Sequence, residues 1–503
     1  MPTKSEARNL FVLISVAQEL FLEDPAGFTA KVAQKLRQSS RQIFNNTATL
    51  ITPILAKIKQ SPLDILVDQG EFSQAIEWAR KQPKLTKRER TLVRSVQEKL
   101  QRLNHQYTPG VPVDGAEVVV HYLTNSLPYT NSGYTLRSQK AIQFQRAAGI
   151  KAVAITRLGY PLVIGSLPRK NEETIDGVTY RRMIPNSFPP SLFDRDAEAI
   201  KQLVTYCREV GAEAIHTTTD YTNAIIASEA AKTLQIPWVY EVRGELESTW
   251  ASTRGIKATS SEFYRIAHEA ETRAMQSASH VVVLSEIYRQ NAIARGVSSE
   301  KITVIPNAIE RSFLENKPST ETIEAKKQEL GLDENDIVIT AITSVVAYEG
   351  LETLIDAIKF LPENFVAIIV GDGADLPRLQ TMAATLRRRV LFVGKQPQKD
   401  INIWYALSDV FVIPRFDLPV TRNVTPIKGL QAQAYGVPLV VSDLPALREV
   451  TGGIATYVEP ADPNSLAAAI KTVAGEYSED AVQWAMSRTW ERNGNTYRRI
   501  YRG

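Results

Sequence analysis

Residues 413–447 read IPRFDLPVTRNVTPIKGLQAQAYGVPLVVSDLPAL. An apolar run ends at a proline and opens into a basic loop. A segment with helical spacing follows, then Gly436-Val-Pro438 and a second apolar run. Strand, basic loop, helix and strand thus come in order. Short runs that are apolar throughout belong to strands buried on both faces, as in a parallel sheet flanked by helices. Three cations, Arg415, Arg422 and Lys428, lie near one strand end. In open sheets of this kind ligands bind beyond the carboxyl ends of the strands.

The same alternation extends in both directions. Strands are expected over 337–342, 366–370, 390–393, 410–413 and 439–441, with helices over 351–361, 376–386, 401–407, 427–435 and 465–475. An earlier series has strands over 116–122, 151–156, 214–216, 238–242, 280–284 and 302–305, with helices such as 134–148, 224–234 and 261–277. Alternating β and α units imply two α/β, Rossmann-like lobes, joined near 307–336 and expected to bind a ligand across a cleft. The expected domains are a helical basic extension over 1–110, a first lobe over 111–306, a second over 307–480, and a C-terminal helix over 481–503 packing back on a lobe. The boundary at 107–114 (YTPGVPVD) is rich in Pro and Gly.

The chain has 503 residues, 44% of them hydrophobic and 23% charged, enough for an ordinary globular core without staples. One cysteine, Cys207, excludes an intrachain disulfide and fits a reducing compartment. The apolar segment 9–21 lacks a basic lead and is shorter than the ~20 residues of a membrane span, so it reads as an amphipathic helix on its own domain. The net charge of +4 is unevenly placed: residues 1–110 hold 17 Lys and Arg against 10 Asp and Glu. The densest stretch, 81–94 (KQPKLTKRERTLVR), is either a solvated helix face or a patch for anionic lipid or a polyanionic acceptor. Nucleic acid is not indicated, because no recognition motif or interleaved aromatics accompany the charge.

Several loops could carry chemistry. Gly133 ends LPYTNSG, between a strand and a helix; it either makes a tight turn or lets a phosphate approach a helix N-terminus. Gly371 and Gly373 follow another strand, where they form a turn or leave room for a ligand. Arg415, Arg422 and Lys428 are surface charges or a cradle for the negative charge of a leaving diphosphate. Glu241 and Arg243 share one side of a strand by period two and form a structural ion pair or part of the site. His216, one of five histidines, sits at another strand end.

From about residue 116 onward the chain resembles the glycosyltransferase family 4 group of GT-B enzymes. The resemblance rests on LPYTNSGYTLRS, YEVRGELESTWAS, VVVLSE, VIPNAIERSF, YEGLETLIDAI, IIVGDG, FVGK and PIKGLQAQAYGVPLVVSDLPALREV, which occur in family order. It implies a GT-B fold and retaining sugar transfer from a nucleotide-sugar donor, without metal or other cofactor, to a glycan or lipid-linked acceptor in cell-surface polysaccharide assembly. The expected location is the cytoplasm, peripheral at the inner membrane face, with residues 1–110 as a membrane or protein contact. By the same resemblance the donor is held by Gly133, Gly371, Gly394, Lys395, Arg415, Arg422, Lys428 and Gln431. The acceptor side and catalytic groups are His216, Glu241 and Arg243, and Asn307 marks the interlobe hinge.

Three positions depart from the family pattern. The Arg and Lys before the helix starting at Gly350 read Ser344 and Glu349. The glutamate pair seven residues apart reads Asn423 and Gln431, and the His-x-His reads His216-Thr-Thr218. These changes bear on turnover more than on fold. Two other readings stay open: a non-catalytic relative kept as a sugar-binding or assembly partner, and a nucleotide-sugar epimerase of the same fold.

Overall fold

A computed structural model describes residues 9, 12–17 and 61–502, the side chains of 256, 312, 387 and 388 excepted. The chain divides into two compact units. One holds the chain up to Val242, Arg254–Val281 and the residues from Ile500 on; the other holds Arg243–Thr253 and Val282–Arg499.

The first unit opens with three helices: α1 (Pro62–Asp68), α2 (Phe72–Arg80) and α3 (Lys87–Leu103). Ser61 and Thr86 begin α1 and α3 as capping boxes, each exchanging bonds with the acid three residues on. Leu63, Phe72, Ala75, Leu92, Val96 and Leu103 pack together with Ile266, Ala267 and Ala270 of the helix Glu262–Ser277. The extension is therefore fastened to the α/β unit by apolar burial. Of the helix expected over 9–21, the part at 12–17 packs Val12 and Val16 on Leu162 and Ile184. The remainder, and the helical reading of 18–60, lie outside the described residues.

The strands of this unit are β1 (Val118–Leu123), β2 (Lys151–Thr156), β3 (Glu172–Ile175), β4 (Val178–Arg182), β5 (Ala214–Thr218) and β6 (Trp238–Val242), in the order β3-β4-β2-β1-β5-β6. All pair in parallel except the hairpin β3–β4. That hairpin is absent from the sequence expectations, although its turn, Asp176-Gly177, has the Asp-Gly signature. Both residues have positive φ, 45° and 79°, as a two-residue hairpin turn requires. The strand β7 (His280–Val283) follows β6, with its first two residues in this unit.

In the second unit β8 (Ile302–Val304) lies beside the latter half of β7. A separate sheet contains β9 (Ile337–Ile342), β10 (Phe365–Val370), β11 (Val390–Gly394), β12 (Val410–Ile413), β13 (Leu439–Ser442) and β14 (Thr456–Val458), ordered β11-β10-β9-β12-β13-β14. The period of two divides its core. Ile339, Ala341, Ala367, Ile369, Val410 and Val412 face one helical layer. Val338, Ile342, Ile368, Val370, Phe411 and Ile413 face the other. Burial on both faces explains why these strands read as unbroken apolar runs. The edge strand β14 has no such run and is absent from the expectations.

The tail expected as a helix over 481–503 is not one helix. It forms Glu479–Met486 and Trp490–Arg502. Between them the backbone pairs with Ile309, whose N–H reaches the Arg488 carbonyl (2.9 Å) and whose carbonyl accepts from the Trp490 N–H (3.1 Å). Those bonds replace helical ones. Among the described residues no helix is long and apolar enough to cross a membrane.

Strand order reverses between β9 and β12, and the loops leaving both must come close. Gly350, at φ +67°, lies so near that a Cβ would be 1.9 Å from the Pro414 carbonyl oxygen. Gly350→Ala is expected to destabilise the protein by about 1–3 kcal/mol, from the left-handed backbone and the displaced loop. Urea unfolding checks this, and wild-type stability in the variant would refute the packing argument.

Candidate functional site

The end of β12 runs through Pro414 into Arg415, and the end of β9 runs through Thr343 to Glu349. Each segment leaves the sheet at the reversal of strand order, where an open sheet leaves a crevice. Gly350 brings the two loops together, and a backbone bond from Phe416 N–H to the Tyr348 carbonyl (3.1 Å) fixes them. Arg415 then grips Glu349 with two parallel bonds, Nε to Oε2 at 3.1 Å and Nη2 to Oε1 at 2.7 Å, both side chains being buried. Its Nη1 donates to the Val424 carbonyl (3.0 Å), tying the loop after Arg415 to the same guanidinium.

Lys428 completes the cluster. It lines a small pocket with Thr343, Glu349, Ile413, Pro414 and Pro426. Burial pushes the Glu349 carboxyl up, but Arg415, with its charge and hydrogen bonds, and then Lys428 outweigh this and hold it below the usual carboxylate range. Burial pulls the Lys428 ammonium down from its ordinary value, and Glu349 only partly offsets that. The crevice therefore holds two cations against one carboxylate, a net positive charge in a partly desolvated place.

Arg422, the third cation of the quoted loop, is exposed and paired with Asp417 (Nη2 to Oδ2, 2.6 Å), which holds the Asp417 carboxyl low. The structure therefore brings Arg415 and Lys428 together and leaves Arg422 on the surface. Gln431 is half-buried and accepts the Tyr405 hydroxyl (2.9 Å). Gly371 and Gly373 pack tightly against neighbouring backbone. A Cβ at Gly371 would be 1.8 Å from the Thr343 carbonyl oxygen, and at Gly373 2.1 Å from that of Val345, so backbone fills the space. Gly394 accepts the Gly371 N–H (3.0 Å), and Lys395 beside it is exposed.

Asn423 donates to Glu245 Oε1 (2.9 Å), whose other oxygen accepts from Ser248 (2.9 Å). Burial and the neighbouring Glu247 raise the Glu245 carboxyl, against the bonds from Ser248 and Asn423. Sequence reasoning missed Glu245 altogether and saw Glu349 only as a departure. A charged residue immediately before a glycine, Glu349-Gly350, was the available signal. Nothing in the chain near Asn423 points to a partner 178 positions away.

In the first unit strand order reverses between β1 and β5. Gly133 is exposed at the first turn of the helix Gly133–Ala147 (α4), with open space around it and Ser132 capping the helix. His216 and Glu241 are fully buried. The His216 ring lies between the Tyr501 hydroxyl (Nδ1, 2.6 Å) and Glu241 Oε2 (Nε2, 3.0 Å), and Arg137 Nε meets Glu241 Oε1 at 2.7 Å. The His216 ring also stacks on His121, with centroids 4.6 Å apart. Glu241 and both ring nitrogens of His216 are thus partnered by the chain itself. Arg243 is buried just past the end of β6.

Removing Arg415 would strand a buried carboxylate. Arg415→Ala is expected to cost about 3–5 kcal/mol, whereas the paired replacement Arg415→Met with Glu349→Gln recovers most of it. The pH dependence reverses as well. In the wild type the Glu349 contribution is complete above the ordinary carboxylate pKa and is lost as pH falls through its lowered value. In Arg415→Ala burial dominates and raises the carboxyl, so stability is instead lost as pH rises from the acid side. Denaturant unfolding across the acid range distinguishes the two profiles.

With this geometry in place, comparison with known proteins is informative. Residues 132–308 match the model of the glycosyl transferase 4-like domain, and residues 336–476 match that of the glycosyl transferases of group 1. The alpha-galactosylglucosyldiacylglycerol synthase of Streptococcus pneumoniae is 22% identical over 223 residues, 40% of this chain and 58% of that protein. An Escherichia coli UDP-Gal:alpha-D-GlcNAc-diphosphoundecaprenol alpha-1,3-galactosyltransferase is 27% identical over 262 residues, 50% of this chain and 62% of that protein. The chain thus spans a little over half the length of these relatives. The crystal structure of Anabaena Alr3699/HepE in complex with UDP superposes with a TM-score of 0.58 at 18% identity, covering 76% of this chain and 98% of that one. Two lobes with the expected sheets, matched in order by both domain models, make the chain a member of the group 1, 4-like glycosyltransferases of GT-B fold.

Proposed function

We propose that the protein is a retaining glycosyltransferase that moves a sugar from a nucleotide-sugar to a glycan or lipid-borne acceptor in cell-surface polysaccharide or glycolipid assembly. The observation that carries this reading is the Glu349–Arg415–Lys428 cluster at the strand-order reversal of the second unit. A nucleoside diphosphate leaving a sugar gains negative charge, and a fixed, partly desolvated cation stabilises it more than one in water. Lys428 is the group we assign to that charge. Arg415 positions it, because its guanidinium is already engaged by Glu349 and Val424. Gln431 is left to hydrogen-bond donor hydroxyls without charge, and Gly394 and Lys395 to meet the base.

The similar proteins support the acceptor class: one is named for a diacylglycerol glycolipid and another for a diphosphoundecaprenol acceptor. A cytoplasmic place of action, peripheral at the inner membrane face, goes with such an acceptor. UDP in the Anabaena structure makes a uridine nucleotide the first donor to try. In the first unit, Gly133 opens a fifteen-residue helix whose free N-terminal N–H groups suit a phosphate. His216 and Glu241, buried with their own partners, are assigned to holding that lobe's strands in register rather than to proton transfer.

Thermal unfolding against UDP, GDP, ADP, CMP and dTDP tests the donor site. A ligand at ~100 times its Kd stabilises the fold by ~2.7 kcal/mol. One nucleotide is expected to raise the melting temperature, and Lys428→Ala to abolish the rise. Because a phosphate needs the charged ammonium, the rise is expected to fade as pH climbs through the lowered Lys428 value, before the ordinary lysine range. No rise with any nucleotide would favour a non-catalytic relative, and sugar conversion without an acceptor would favour an epimerase.

A further inference from the structure

The charge-rich stretch at 81–94 left two readings open, and its surroundings in the first unit separate them. Helix α3 buries Leu92, Val96 and Leu103 against α2 and the helix Glu262–Ser277. Its opposite side carries Lys87, Arg90, Arg94, Gln97 and Gln101, all exposed. Their spacing of three and four places them in one stripe along the helix. No acidic residue falls in the stripe. Lys84 precedes it, exposed in the turn before Thr86.

Both acids of α3, and Asp64 and Glu77 before it, are used elsewhere; Asp194, next to Phe193, is exposed. Glu89 closes the capping box with Thr86 and Asp64 holds Arg88, while Glu77 holds Lys81. Glu98 is buried and accepts the Leu192 N–H (2.8 Å). Lys84, Lys87, Arg90 and Arg94 make no ion pair among the described residues; Arg90 only donates to the Leu85 carbonyl (3.1 Å). A merely solvated helix face ordinarily interleaves signs. This one presents four cations without an ion-pair partner among the described residues, on a helix packed against the lobe.

An apolar side chain adjoins it. Leu192 is tied to the flank of α3 at two points, through Glu98 and through Arg102 Nη2 to its carbonyl (3.0 Å), and the next residue, Phe193, is 44% exposed. A row of cations along one helix, with an exposed aromatic near the C-terminal part of that helix, matches the headgroup region of a bilayer, which offers anionic charge above an apolar layer. A soluble polyanion would use the charge but not the phenyl ring. We infer that the stripe Lys84, Lys87, Arg90 and Arg94 with Phe193 is a docking surface for an anionic membrane. The choice of a membrane over a soluble polyanion rests in part on the lipid-borne acceptor proposed above.

The test uses the full chain and sedimentation with phosphatidylcholine vesicles, with and without phosphatidylglycerol, at low and physiological salt. Binding is expected only with phosphatidylglycerol and should weaken with salt. Each surface cation contributes about a fivefold change in partitioning. The fourfold variant Lys84→Glu, Lys87→Glu, Arg90→Glu, Arg94→Glu should therefore lose at least about a hundredfold with its melting temperature kept. Phe193→Ser should weaken binding by a salt-independent factor, and Lys399→Glu, a control in the other unit, should leave it unchanged. Undiminished binding by the fourfold variant would overturn the assignment, as would binding to soluble polyphosphate without binding to vesicles. The vesicles carry neither acceptor nor nucleotide, so failure here leaves the nucleotide result, and with it the transferase reading, untouched.

Discussion

A carboxylate removed from water needs a cation at hydrogen-bond distance, and the second lobe meets this demand where its strand order reverses. Glu349 and Arg415 come from different strands, β9 and β12, and their two-point contact is possible only because Gly350 lets one loop rest on the backbone of the other. The pair is not free-standing stability, since two buried ions cost about as much to desolvate as their attraction returns. Its effect is geometric. It sets the loop after β12, through Val424, and it leaves Lys428 as the cation whose charge is not already matched.

The departures from the family pattern make physical sense in this light. An acid at position 349 would be expected to repel a diphosphate, but Arg415 neutralises it within the fold, and the positive balance passes to Lys428. Asn423, lacking a carboxylate of its own, is held against the buried carboxyl of Glu245. The two carboxyls, Glu349 and Glu245, thus each have their own hydrogen-bonding partners.

The first lobe solves a similar problem differently. Its central strands carry His216 and Glu241 in the interior, which is costly for polar atoms left without a partner. Glu241 meets Arg137 and His216, and His216 meets Tyr501 from the end of the chain. The last residues of the sequence are thereby part of this lobe's core, which accounts for the fully buried Tyr501 in a helix otherwise rich in charge. The extension is joined to the same lobe by ordinary apolar packing, so its cationic side keeps one orientation relative to that lobe.

What the sequence determined by itself is the set of α/β elements. Strands buried on both faces must be apolar throughout, and the helices between them carry their own period, so β2, β6, β9 and β12 are legible to the residue. The hairpin β3–β4 and the edge strand β14 were not, because the one-sided burial of β4 and the three residues of β14 give no continuous run; the Asp176-Gly177 turn was readable and was passed over. Gathering Arg415 and Lys428 beside one strand end needed only their proximity in sequence. The role of Glu349 and the bond from Glu245 to Asn423 required the tertiary structure, since their partners lie 66 and 178 residues apart. Exposure likewise decided between cations of the same loop: Arg422 and Arg415 are indistinguishable in a sequence, and only packing buries one beside a carboxylate and leaves the other on the surface.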